Sequence, residues 1–227
     1  MVTSTEALAA LTALGNAERA AAAAVSHKSD RVFLGVAVPE ISALAKAWRD
    51  EISLDARLSL ADALWQSDIH EARIAACRLL VQARITPDAA VWALITSWLP
   101  ALDIGALADQ LGDAGARRVS ADPARLDEVE SWVKSPHLWT RRAALDFTLP
   151  WAKMNHLKPA DLEARERILG WAGELVADRD WNMQKALGLW IRDLSKHDAA
   201  RARDFLTGPG TGLKSFARKL AKTWLQD

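Results

Sequence analysis

Apolar residues recur at spacings of three and four along nearly the whole chain, and that period confines it to helices. Between Ile69 and Ala83 they fall at Ile69, Ala72, Ala76, Leu80 and Ala83, a single buried stripe. Between Trp181 and Leu194 the stripe is Met183, Ala186, Leu187, Trp190, Ile191 and Leu194. The one strand-like run, Arg31 to Val38, is interrupted by Gly35 and closed by Pro39. One strand cannot make a sheet, so this run reads as an extended connector. Helix starts are expected at Thr86-Pro87, Asp122-Pro123 and Ser135-Pro136, where a capping side chain precedes proline, and helix ends at Gly112 and Gly208. The pattern predicts about a dozen helices of ordinary length joined by short polar links. No link is long enough to separate domains, so residues 1–227 are expected to form a single domain.

The helices are not independent of one another. The segment from Ser135 to Ala144 aligns with Asp178 to Leu187, 43 residues later, and a fainter copy runs from Ser67 to Ala76, 68 residues earlier. A period near 40 with two helices per unit is that of HEAT and armadillo arrays. The expected architecture is therefore all-α, an α-solenoid of HEAT-like repeats whose inner helices line a concave face.

Composition narrows the partners. The chain has 29 basic and 29 acidic side chains, but they are unevenly spread. Between Trp98 and Glu130 seven acidic residues face three arginines, whereas Arg201 to Lys222 holds six basic residues and one aspartate. A polyanion would approach the second stretch. The single cysteine, Cys77, precludes an internal disulfide and argues for a reducing compartment. The five histidines lie far apart, without the helical spacing of a metal site, so no metal or other cofactor is expected. No apolar run approaches the roughly 20 residues of a membrane span. A cytoplasmic, monomeric protein is expected, with no membrane partner.

Removing the buried stripe from the helix that begins at Trp181 leaves Asn182, Lys185, Leu189 and Arg192 on the opposite side. The 43-residue shift gives Trp139, Arg142, Asp146 and Leu149 in the preceding copy, so Arg142 is the counterpart of Lys185. Cations repeated in register can follow the spacing of phosphates, and they can equally be an ordinary solvated helix face. Trp139, an aromatic on a polar face, suits stacking on a nucleotide. Trp48, Trp65, Trp92, Trp132, Trp151, Trp171 and Trp190 sit at apolar helical positions and read as core. Pro100 is expected in the first turn of a helix, placing Asp103 one turn in, where the helix dipole favours a carboxylate. No phosphate loop, paired acid motif or Ser/His/Asp order is present.

These residues resemble those of the AlkD-type DNA alkylation-repair proteins, HEAT-like solenoids. The matches are Phe33-Leu34-Gly35-Val36 followed by Pro39, Ser97-Trp98 with Asp103, Ser135, Leu138-Trp139, Arg142-Ala143-Ala144, and Gln184-Lys185-Ala186-Leu187-Gly188 with Arg192. The resemblance implies a glycosylase that grips double-stranded DNA and removes cationic N3- or N7-alkylated purines, whose bond to the sugar is already weakened. It puts the family's catalytic carboxylate at Asp103 and a backbone-binding arginine at Arg142. Arg141, Lys185, Arg192, Trp139 and Trp98 complete the expected DNA-contacting set. The family's sugar-contacting tryptophans fall on Leu99 and Leu189, which offer apolar contact without a π face. Two further readings stay open: a non-catalytic protein that binds bent or branched DNA with the same residues, and a protein-binding scaffold.

Overall fold

The computed structural model describes residues 2–225 and, among them, contains helices and no β-strand. It divides into two compact units, Met1–Arg117 and Arg118–Asp227. The first holds α1 (Ser4–Ala13), α2 (Ala17–His27), α3 (Val38–Glu51), α4 (Leu54–Gln66), α5 (His70–Leu80) and α6 (Ala89–Ser97). The division falls within α7 (Gly105–Ala121). The second unit holds α8 (Leu126–Trp132), α9 (Leu138–Asp146), α10 (Leu149–Lys153), α11 (Pro159–Leu175), α12 (Trp181–His197), α13 (Ala199–Thr207) and α14 (Ser215–Ala221).

Each unit is organised around one helix. In the first, α5 packs against α1, α3 and α4, and every one of its residues except Arg78 is buried. It is a core helix, apolar or paired all round, more enclosed than its single stripe implied. In the second, α12 packs against α9, α10, α11, α13 and α14. Its expected stripe is buried from Met183 to Leu194, and Asn182, Lys185, Leu189 and Arg192 lie partly exposed on the other side, as the periodicity required.

The internal repeat has a structural meaning. The helices α5, α9 and α12 begin at aligned positions, His70, Leu138 and Trp181. In each, the fourth residue carries a long polar side chain that folds back over the helix start. Arg73 donates from Nε to the Trp65 carbonyl at 3.0 Å, in the last turn of α4. Arg141 donates to the carbonyls of Ser135 and Pro136 at 2.8 and 2.9 Å, just beyond α8. Gln184 donates to the carbonyls of Val176 and Asp178 at 3.1 and 2.8 Å, just beyond α11. Carbonyls at the end of a helix, or in the link just after it, have no intrahelical partner, and here the next helix supplies the donor. Arg165, wholly buried, does the same for Trp151 and Met154 around α10.

The local signals were displaced by one or two residues in several places. Asp122 caps as expected, accepting from the Ala124 N–H. The helix after Pro87 starts only at Ala89, and the helix after Pro136 starts at Leu138, because Ser135 accepts from His137 N–H in a turn instead of capping. Gly208 ends α13, but Gly112 lies inside α7. Residues Arg31–Ala37 form the extended connector, tied by one parallel bridge between Val32 and Ile69. Within it Gly35 has φ of +76°, and a Cβ there would stand 2.2 Å from the Asn16 carbonyl, so only glycine fits.

Gln184→Met preserves volume but orphans the carbonyls of Val176 and Asp178 and the N–H of Lys214, which donates to Oε1 at 2.7 Å. Chemical denaturation is expected to show a loss of about 1–3 kcal/mol; an unchanged midpoint would mean that these bonds do not hold the second unit together.

Candidate functional site

Pro100 lies in a single 3₁₀ turn, Leu99–Ala101, and not in the first turn of a long helix. Asp103 therefore sits in the short link ahead of α7, half-exposed at 49% of its side chain. This corrects the expected position one turn into a helix. It is Arg31 in the connector that orients the carboxylate: its guanidinium lies 2.6 Å from Asp103 Oδ2. Arg31 is itself 93% enclosed, its side chain only 7% exposed, and its other terminal nitrogen is 3.1 Å from Asp68. Asp68 also receives Arg73 at 3.0 Å, and Arg73 reaches the Ala101 carbonyl at 3.3 Å, just before Asp103. The chain Arg73–Asp68–Arg31–Asp103 thus connects the repeated helix start to the candidate carboxylate. Asp103 Oδ1 has no protein partner among the described residues, on a side chain that is half-exposed.

Beneath this network lie two aromatic rings. Trp65 and Trp98 stack at 4.6 Å with an interplanar angle of 4°, and Arg73 lies 4.8 Å over Trp65. Trp98 is only 2% exposed and donates from Nε1 to Asp62, so it is core and not a surface for nucleotides. Leu99 is likewise buried.

In the second unit the expected cations divide into two groups. Arg142 is 2% exposed, with Nε 3.1 Å from Asp146 and its guanidinium 5.7 Å from the Trp139 ring. It is an internal strut, which corrects the expectation that it stands on the outward stripe beside Lys185: α9 is a short helix enclosed by α8 and α12, and its outward arc is narrower than that of α12. Arg141 pairs with Asp178 at 2.7 Å and spends its remaining donors on backbone carbonyls. Arg192 is one-third exposed and forks onto Asp193, which also meets Lys153. Trp139 and Leu189 are partly exposed. The basic C-terminal stretch is also committed internally in part: Arg201 pairs with Glu166, and Arg218 donates to the carbonyls of Leu206 and Gly210.

The periodic stripe did not single out Trp181. At 54% exposure it stacks on Phe216, ring centroids 5.9 Å apart, with Lys185 Nζ 5.2 Å from its ring. Arg179, two residues before Trp181, and Lys214, two before Phe216, anchor their side chains on the carbonyls of Gly212 and Arg179. This aromatic platform, with Lys185 over one ring, stands at the start of α12. The signal for it was available, since Trp181 occupies the first position of the repeat, where a buried stripe has not yet begun.

The other residues missed by sequence reasoning surround the connector. Glu71, 2% exposed, accepts from the N–H groups of Leu34 and Gly35 at 2.8 and 2.7 Å. His70 packs its ring against Phe33 and His27 at 4.7 and 5.1 Å. Burial, then the neighbouring His27 and Arg31, push its imidazole from 6.5 down to about 4. Cys77 is buried and its thiol pushed up by that burial, which makes it inert. Among the described residues no group of three metal-ligating side chains exists, and no helix is long and apolar enough to cross a membrane.

Helices whose start motif recurs in each of two units, with a carboxylate on a charged relay in the first, define a helical-repeat protein. The sequence profile of the DNA alkylation repair enzyme family matches residues 7–225, so the chain belongs to that family. No curated protein matches it in sequence. Solved structures do. It resembles a predicted DNA alkylation repair enzyme from Enterococcus faecalis at 20% identity and a TM-score of 0.74, over 94% of this chain and 97% of the other. It also resembles two Streptococcus mutans proteins at 20% identity and a TM-score of 0.63. These are smu.31 of strain UA159, over 83% of this chain and 93% of that one, and AlkD2, over 84% and 91%. The fold is that of the AlkD-type helical-repeat proteins.

Because the unfolded His70 binds a proton at pH values where the folded one does not, its contribution to stability is complete above pH 6.5 and is lost as pH falls towards about 4. The loss amounts to about 3 kcal/mol. As pH falls across this window the wild type is expected to lose more stability than His70→Phe, which has no group to titrate there; parallel curves would place the imidazole in solvent.

Proposed function

We propose that this protein is a DNA glycosylase that binds duplex DNA and releases cationic N3- or N7-alkylated purines. Such a base carries a positive charge and leaves readily, so catalysis needs only stabilisation of the sugar cation and placement of water. Asp103 is the group for that work. The observation that carries the reading is the buried Arg31 side chain, which fixes one carboxylate oxygen of a half-exposed Asp103. An oriented carboxylate meets a developing positive charge without reorganising, which is where electrostatic catalysis gains most.

Backbone contacts fall to Lys185 and Arg192 on α12, with the Trp181–Phe216 platform offering a stacking face beside them. Arg142 and Arg141 support these positions from within instead of reaching phosphates. The family's sugar-facing aromatics are replaced by Leu99 and Leu189, which removes a cation–π contribution of roughly 0.5–2 kcal/mol per ring. Loss of both slows excision by about one to three orders of magnitude, at 1.36 kcal/mol per factor of ten.

The same leucines favour a second reading, binding of distorted DNA without excision. Detection of free bases after incubation with methylated DNA separates the two. Asp103→Asn is expected to abolish release of N7-methylguanine while leaving DNA affinity within about twofold of the wild type. Release by the variant at the wild-type rate removes Asp103 from the chemistry, and no release by the wild type supports the binding-only reading. Charge reversal of Lys185 and Arg192 together is expected to weaken DNA binding and reduce the slope of log affinity against log salt by about one per cation. An unchanged slope would take α12 out of the interface.

A further inference from the structure

We propose that a cavity in the first unit binds a planar nitrogen heterocycle of purine size, presented through its N–H groups. The cavity has a volume of about 320 Å³ and opens between α2, the connector at Gly35–Ala37, and the starts of α3, α5 and α7. That volume lies at the lower end for small-molecule sites and suits a bicyclic base without its sugar phosphate.

The lining selects the chemistry. One wall is built from the rings of His27 and His70, backed by Phe33 at 5.7 and 4.7 Å. Small apolar residues, Ala23, Ile74 and Ala106, complete the lining beside the rings, so the space has an aromatic side and an apolar one. Its polar groups are mainly acceptors. Glu71 is buried, and each of its oxygens already takes one backbone N–H and keeps a further lone pair. Gln110 Oε1 is buried with no hydrogen-bond partner among the described residues, and so is His70 Nδ1. A buried polar atom left without a partner is costly, and two beside one cavity mark a place where a ligand or a small rearrangement around it recovers bonds. The imidazole of His70 is neutral at physiological pH, so its ring offers a stacking face and no charge.

Other ligand classes fit poorly. An anion would meet the carboxylates of Glu71 and Asp109, while Arg19, the one arginine of the lining, is already paired with Glu40 at 3.7 Å. An aliphatic molecule would strip water from Glu71 and return nothing. A planar, donor-rich heterocycle satisfies the acceptors along its edge and uses the rings with its face. The site is separate from Asp103, which does not line it.

Calorimetric titration of the full chain with adenine tests this. Binding is expected, with benzoate and adenosine monophosphate at least about tenfold weaker because of their charge. Ala106→Phe fills the cavity without removing a buried contact and is expected to weaken adenine binding at least about tenfold at an unchanged melting temperature. Should that variant fail to fold, Gln110→Leu, which removes an acceptor at constant shape, is expected to cost about fivefold or more. No heat with adenine at millimolar concentration, equal binding of benzoate, or full binding by a folded variant overturns the proposal. The titration involves no base release, so its outcome is independent of whether Asp103 supports excision.

Discussion

A buried helix end must give its last carbonyls to something, and in this protein the next helix provides the donor. Arg73, Arg141 and Gln184 stand at the same position of three repeated helix starts, and each turns back to the chain segment that precedes it. At the buried bonds, Arg73 to Trp65 and Gln184 to Val176, the guanidinium or amide stands in for water where an unmet carbonyl would cost about 1–3 kcal/mol. The device fixes the angle at which one helix follows another and lets the connecting links stay short.

In the first unit the same device reaches the site. Arg73 has donors to spare, and after the Trp65 carbonyl it engages Asp68 and the Ala101 carbonyl. Asp68 in turn holds Arg31, and Arg31 holds Asp103. A residue whose repeat counterparts only close a helix end therefore also anchors the candidate carboxylate. In the second unit the counterpart, Arg141, pairs with Asp178, and Gln184, being neutral, pairs with none. The relay to a surface acid is thus built on one copy of the repeat alone.

Much of the fold was legible because helical periodicity survives any detail of packing. Every residue of the apolar stripe of α12 is buried, joined by Gln184, Gly188, Asp193 and Ser195, and the repeat offset located three helix starts. Seven tryptophans assigned to core are all buried. What periodicity could not show was the partner of each charge. Arg142 and Lys185 share a register, yet neighbouring helices enclose one and leave the other partly open. Asp103 was recognisable as a candidate, but Arg31 and Asp68 are distant in sequence, and only the folded connector brings them to it. The cavity beside Glu71 was invisible for the same reason: it is made where the starts of α5 and α7 and the body of α2 approach one glycine.

The account stands on Arg31 acting through Asp103. A double-mutant cycle on the rate of base release measures that coupling, with Arg31→Gln made in the wild-type and Asp103→Asn backgrounds. Arg31→Gln is predicted to slow release from methylated DNA in the wild-type background and to cause no further loss once Asp103 is replaced. Losses that multiply, or an Arg31 variant as fast as the wild type, would show that the carboxylate works without its guanidinium.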